Sequence, residues 1–296
     1  FVVLAIVGLG VALYFAWQTL IPKAAEAVAH RIPRDAEKSL GTIALQGLDR
    51  WLLKTSRLEA AEMWSVRRLF DELADKAGLA DTVVLQFRDT APNALALPGG
   101  TIVVTDGLVK LFRSDERLLA AVIAHELGHI QHRHSLRHLL EGSASALIVG
   151  ALVGDVSGVS ALTVNAPILL STLHYTRESE READQYAFDL LRRSGRSPKD
   201  FADAMRRFDA MELCIALRTK YRDDALKQAQ GSVDRSDEPA ARARISDSCT
   251  DNPEKALEGR DSELADLRRQ DRETGYMHTH PVTRERIAAA EAAAGK

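Results

Sequence analysis

Aromatics, cysteine and basic excess are all scarce in this 296-residue chain. With 39 Lys and Arg against 42 Asp and Glu, the net charge is −3, and aromatics make up 5%. The arginines are scattered among acids, as on solvated helix faces, so there is no electrostatic reason to expect nucleic acid. Only two cysteines occur, Cys214 and Cys249. Their spacing fits neither a zinc ribbon nor a redox C-x-x-C pair. That leaves a disulfide, if the domain lies outside the cytoplasm, or two unrelated thiols. What the chain does have is a hydrophobic content of 46%, enough to bury a sizeable core, as one large domain or one domain with appendages.

The centre of the sequence is Ala121-Val122-Ile123-Ala124-His125-Glu126-Leu127-Gly128-His129-Ile130, an H-E-x-x-H pattern in an apolar helical context. Positions i and i+4 of a helix share a face, so both imidazoles can reach one Zn²⁺ at about 2.0–2.1 Å. Glu126, one residue off that line, is placed to serve as general base toward a water. Ser114 offers an N-cap, with Asp115 and Glu116 in the first turn where the helix dipole favours negative charge. Leu118, Leu119, Val122 and Ile123 then make a buried approach to the motif. The bland reading is a pair of satisfied histidines on a solvated helix. A metzincin needs glycine at 132 and histidine at 135, where this chain has His132 and Ser135, so that class is excluded. His132, His134 and His138 read as polar helix-face residues rather than ligands.

Residues Phe1 to Leu20 are apolar apart from Gln18, long enough for a bilayer span with Tyr14 and Trp17 at an interface. A secretory signal and a buried helix are the rivals, and the anchor is the preferred expectation. Lys23 to Leu53 reads as amphipathic helix interrupted near Pro33 and Gly41. Ser56 to Glu59 reads as a capping box opening a helix to about Lys76, stopped by Gly78. Strands are expected over Thr82–Arg88 and Thr101–Thr105, with Pro98-Gly99-Gly100 turning the chain between them. Asn93-Ala94-Leu95-Ala96-Leu97 reads as a sheet-edge segment, or functionally as an edge that an extended peptide joins as a strand. Gly142 to Leu173 suggests a buried or membrane-touching helical hairpin near the cleft, with ordinary core as the plainer role.

In Arg177-Glu178-Ser179-Glu180-Arg181-Glu182-Ala183-Asp184, Glu180 and Asp184 stand at i and i+4 on one helix face. A zinc site of two histidines and a glutamate needs one such carboxylate from a second helix. It also gains from an acid that grips the free N–H of a ligand imidazole. Glu178 and Glu182 compete. Glu182 has Tyr186 rather than an acid four residues on, which makes Glu180 the better choice.

These segments resemble the HtpX, CAAX-prenyl-endopeptidase and BepA family of membrane-associated gluzincin metallopeptidases. The matching residues are Asn93–Gly100 with Thr101–Gly107, His125–His129, Glu180 to Asp184, and Met277-His278-Thr279-His280-Pro281 followed by Arg286-Ile287. The resemblance implies that His125, His129 and Glu180 hold Zn²⁺, that Asp184 supports a ligand histidine, and that Glu126 is the catalytic base. It places His280 at the cleft, to contact substrate, stabilise an oxyanion or approach the metal; a helix-entry residue before Pro281 is the plain alternative. It also implies that Asn93, Ala94, Leu95 and Ala96 bind substrate.

The expected fold is α+β, mostly α: a gluzincin-type core with a small antiparallel sheet near the active-site helix and an N-terminal transmembrane helix. The expected divisions are an anchor at 1–21, a helical linker at 22–55, a peptidase core at 56–213, a charged insert at 214–272 and a completing segment at 273–296. A seven-span protease is excluded by the single apolar run. The expected function is a membrane-anchored zinc endopeptidase acting on misfolded or unassembled envelope proteins, single-pass, with a periplasmic or extracytoplasmic catalytic domain. Its partners are polypeptide and membrane, with no nucleic acid. The alternative is a zinc-containing polypeptide-binding or chaperone-like protein with little turnover. A purely structural zinc site is a weaker third.

Overall fold

In a computed structural model the residues described are 2–113, 115–153, 175–228, 249–251, 253–260, 264, 280 and 284–295. The side chains of 2–7, 9–16, 144–153 and 223–228 fall outside this description. Two helices lead the chain, α1 (Val2–Ala29) and α2 (Arg34–Trp51). Next come β1 (Lys54–Thr55), α3 (Ala60–Ala77), β2 (Val84–Asp89) and β3 (Ala94–Ala96). A 3₁₀ turn at Pro98–Gly100 leads into β4 (Thr101–Thr105), α4 (Asp106–Leu111) and α5 (Glu116–Gln131). The remaining helices are α6 (His134–Val153), α7 (Arg177–Arg193), α8 (Lys199–Gln228), the short α9 (Pro253–Leu257) and α10 (Arg284–Ala294).

The central element is α5. Every residue from Leu118 to Ile130 is buried, and the helix packs against α3, α7, α8 and β3. Such a helix has no solvated face, so its small residues Ala120, Ala121 and Ala124 let neighbouring elements approach closely. Around it lie Leu69 and Leu73 of α3, Ile102 and Val104 of β4, Phe188 of α7, and Phe201 and Phe208 of α8. At Gly128 the approach reaches the limit: a Cβ there would stand 2.9 Å from Ala183 O and 3.0 Å from Ala183 Cα on α7.

The sheet order is β1-β2-β4-β3, and it is mixed rather than antiparallel as expected. β1 pairs antiparallel with β2, and β3 with β4, but β2 and β4 run parallel. The cause is that β4 enters between β2 and β3, after the hairpin turn at 98–100 has reversed it. Covered on both faces, β4 reads as a continuous apolar run. Ile102 and Val104 face the helical core, while Val103 packs with Leu48 and Leu53 under α2. This arrangement leaves β3 as an edge strand, as the Asn93 segment led one to expect.

Other local expectations shift by small amounts for identifiable reasons. The capping box of α3 is Glu59 with Glu62, not Ser56 with Glu59, because the Ser56 hydroxyl donates to Asp106 Oδ1 at 2.6 Å. Gly78 does end α3, in the left-handed conformation. Asp115 caps α5 by accepting from the Arg117 N–H; Ser114 lies outside the described residues. Helix α2 runs through Gly41 uninterrupted, and the glycine there serves packing instead: a Cβ would meet Pro98 O at 2.0 Å.

Among the described residues no helix is long and apolar enough to cross a membrane. Most side chains of the apolar run at 1–20 fall outside those described. The expected hairpin at 142–173 lies outside them from 154 on. So does most of the expected insert, although its start is tied to a residue within it: Cys214 on α8 and Cys249 form a buried disulfide with Cα atoms 5.7 Å apart.

At the far end of α5, Arg133 takes a left-handed backbone with φ 55°. Its guanidinium is buried and donates to Glu37 Oε2 at 2.6 and 2.9 Å, and to the carbonyls of Ala29 and Ile32. The α1–α2 junction is thereby bonded to the end of the central helix.

We expect Gly128→Ala to force α5 and α7 apart. Urea unfolding should show a loss of about 1–3 kcal/mol, the usual cost of overpacking a filled core.

Candidate metal centre

Helix spacing places His125 and His129 one turn apart on α5, and Glu180 reaches them from the first turn of α7. Thr176 caps that helix through its hydroxyl, which accepts from Ser179 N–H, so Glu180 sits where the helix dipole favours an acid. His125 Nε2 and His129 Nε2 are 3.0 Å apart. Glu180 Oε2 lies 3.6 Å from the first and Oε1 lies 3.5 Å from the second. The edge of a tetrahedron of ligands about 2.0–2.1 Å from a zinc ion is about 3.3 Å. The three donors therefore fit one ion, and they are buried, as a dry site requires.

The fourth member of this cluster is His280. Its Nδ1 is 2.8 Å from Glu180 Oε1 and 3.2 Å from His125 Nε2. His125, His129, Glu180 and His280 together form a group able to hold a metal. His280 Nε2 lies 3.5 Å from Glu126 Oε1. Both that nitrogen and Glu126 Oε2 are buried without a hydrogen bond, which leaves polar capacity facing the cluster.

Behind the donors are the groups that orient them. Asp184 Oδ1 is 3.0 Å from His125 Nδ1. Arg286 of α10 donates to both Asp184 oxygens at 2.7 and 2.8 Å, and its Nη1 lies 2.7 Å from Glu180 Oε2. Burial pushes the Asp184 carboxyl up, but Arg286 and His125 more than offset it and hold it at about 2. Glu180 is likewise raised by burial and brought below the usual range by His280 and Arg286. Burial, joined by His125, lowers His129 well below an ordinary imidazole. His280 goes the other way: burial lowers it, yet Glu180 and Glu126 raise it overall.

The structure brings His125, Glu126, His129, Glu180, Asp184 and His280 together. Asn93, Ala94, Leu95 and Ala96 form the β3 edge, whose strand packs on α5. That edge is partly capped by the chain itself: Asn93 Oδ1 accepts from the Ala94 N–H, and Ala96 O accepts from the Ser135 and Tyr175 hydroxyls.

Arg286 and His134 have no role that the sequence alone assigns. Arg286 lies a hundred residues from its partners, and nothing local marks it as a buried ion. His134, expected on a polar face, is fully buried, with Nδ1 2.9 Å from His129 Nδ1 and Nε2 2.8 Å from Glu182 Oε2. Its signal was available: a further histidine five residues after His129, the fourth of the run that begins at His125. Burial brings His134 down to about 4 despite Glu182, and brings His138 on the same helix to about 4. Glu182, a competitor for the ligand position, is engaged with His134 instead. Tyr175 stacks on His129 with ring centroids 4.0 Å apart.

Residues 60–294 match the model of peptidase family M48. The chain belongs to peptidase family M48. The M48 match starts at α3 and ends with α10, so it takes in every donor and the Arg286 that backs them. The chain is 32% identical to the mitochondrial metalloendopeptidase OMA1 of Schizosaccharomyces pombe, over 50% of this chain and 44% of that protein. It is 33% identical to the beta-barrel assembly-enhancing protease of Escherichia coli K12, over 36% of this chain and 24% of that protein. With metalloprotease LoiP of the same organism the identity is 31%, over 40% of this chain and 48% of that protein. This M48 chain thus matches less than half the length of each of these relatives.

Two measurements test the electrostatics of the centre. Arg286→Ala removes the cation shared by two buried carboxylates, leaving them only their histidine neighbours, and should cost about 3–5 kcal/mol in urea unfolding. In metal-free protein, stability should fall as pH drops from about 6.5 towards 4. Unfolded His134, His138 and His129 bind protons in that window while the folded forms, with lowered pKa values, do not. His280, raised in the fold, contributes in the opposite sense but is one group against three. Urea midpoints across that range read the slope directly.

Proposed function

We propose that this chain is a zinc-dependent endopeptidase working at a membrane, on polypeptides exposed at the extracytoplasmic side. The observation that carries the reading is the buried convergence of His125, His129 and Glu180 from two helices, with Glu126 beside them. With His280 kept for the substrate rather than the metal, the donor set is two imidazoles and one carboxylate, which leaves coordination open as in catalytic rather than structural zinc sites. When bound, zinc supplies a Lewis acid that polarises a peptide carbonyl and acidifies a water.

The remaining chemistry belongs to the chain. Glu126, with Oε2 free of hydrogen bonds in a buried site, takes the proton of the attacking water and hands it to the leaving amine. His280 Nε2, also without a partner, faces Glu126 and can donate to the oxygen that gains charge. Asp184, with Oδ1 3.0 Å from His125 Nδ1, orients that imidazole by its charge, and Arg286 fixes Asp184. Asn93 to Ala96 offer an extended substrate the outer edge of β3, next to the donors.

Support for the setting comes from three sides. Residues 1–20 are nearly all apolar and suit a single-pass anchor. The Cys214–Cys249 disulfide suits an oxidising compartment. One relative is named for enhancing β-barrel assembly, which suits misfolded or unassembled envelope proteins as substrates. One feature favours a second reading, a polypeptide binder with little turnover. His280 stands among the donors, 3.2 Å from His125 Nε2, where a water would otherwise fit.

Casein cleavage by the full chain separates the two. Glu126→Gln should retain zinc while activity falls about 10²- to 10⁴-fold, the range for losing a general base. Glu180→Ala should lose the metal. Cleavage by Glu126→Gln at the wild-type rate sinks the endopeptidase reading.

A further inference from the structure

A second group of metal-type side chains lies just behind the first. His132, His134 and Glu182 place one donor atom each within 4.8 Å of one another. His132 is exposed, and its ring stacks on His134 with centroids 5.4 Å apart. His134 is buried between two partners, with Nδ1 against His129 and Nε2 against Glu182.

A neutral imidazole carries one N–H. His129 turns Nε2 towards His125 and Glu180, so a metal held there leaves the His129 proton on Nδ1. That N–H points at His134 Nδ1, 2.9 Å away, which must accept it. The proton of His134 is then on Nε2, and Glu182 Oε2 accepts it at 2.8 Å. Every hydrogen bond in the chain from Glu182 to His129 is satisfied by this one assignment. The other tautomer of His134 sets two N–H groups against each other.

We infer that His134 is a positioning residue for the metal centre, and that Glu182 acts on His129 through it as Asp184 acts directly on His125. One helix, α7, thus supplies Glu180 to the donor set and an acid behind each histidine. Glu182 suits this task because it lies two residues from Glu180 and Asp184, on a different face of α7, where the start of α6 presents His134. Its side chain is also 38% exposed, and Arg137 Nη1 lies 3.4 Å away, so the negative charge at the end of the relay is solvated and compensated. The same proton count excludes a second metal on His132, His134 and Glu182 while His129 is a ligand. Such an ion needs the Nε2 lone pair of His134 and so drives its proton onto Nδ1, against the His129 N–H.

The inference rests on the zinc reading of His125, His129 and Glu180, and the test keeps the two apart. Zinc affinity of the purified full chain is measured by chelator competition, with circular dichroism to follow folding. His134→Leu removes the acceptor and should weaken zinc about 10- to 100-fold, the range for losing an orienting partner. His134→Asn puts Oδ1 where Nδ1 stood and should recover most of the affinity. Glu182→Ala, at a partly exposed position, should weaken zinc with the fold retained. His132→Ala should leave affinity unchanged at one zinc per chain. Wild-type affinity in His134→Leu or Glu182→Ala, or an Asn variant as weak as Leu, overturns the relay. A second zinc lost in His132→Ala overturns it as well. Wild-type protein that binds no zinc overturns the metal reading, and the relay with it.

Discussion

The Arg286 guanidinium is the counter-charge on which the centre depends. Two carboxylates, Glu180 and Asp184, are buried one turn apart on α7, and each must stay ionised to act on a metal or a ligand histidine. Left alone in a dry interior they would protonate, because burial disfavours the charged form. Arg286 meets Asp184 with two hydrogen bonds and lies 2.7 Å from Glu180, so one cation steadies both. Desolvating three charges is costly, and such clusters seldom add net stability. What this one provides is a fixed protonation state and a fixed geometry, supplied by α10 to residues a hundred positions upstream.

That dependence explains which parts of the molecule could be read in the sequence. His125 with His129, and Glu180 with Asp184, are local: helical periodicity alone puts each pair on one face. β4 was legible at Thr101–Thr105 because a strand buried on both sides is an unbroken apolar run. Gly78 announced the end of α3 for an equally local reason. Arg286 was not legible as a buried ion, since nothing near it in the chain differs from a solvated helix. His134 was misjudged because its neighbours His132 and His138 share its composition but not its burial. The parallel pairing of β2 with β4 escaped for a related reason: strand content is set locally, strand order by where the chain returns.

The donor cluster and its backing also show how few elements the chemistry needs. α5 contributes two imidazoles and the base, and α7 contributes the third donor and both acids. The sheet serves as a wall, with β3 at its edge against α5. Among the described residues His134 comes from the start of α6, and His280 and Arg286 from the C-terminal part of the chain.

Arg133 gives this assembly a mechanical property. It is the first residue beyond His132 at the end of α5, held in a left-handed turn, and its guanidinium grips Glu37 and the carbonyls of Ala29 and Ile32. A force tilting the leading helices therefore cannot be absorbed by a slack joint. It reaches the last turn of α5 as torque, one turn from His129.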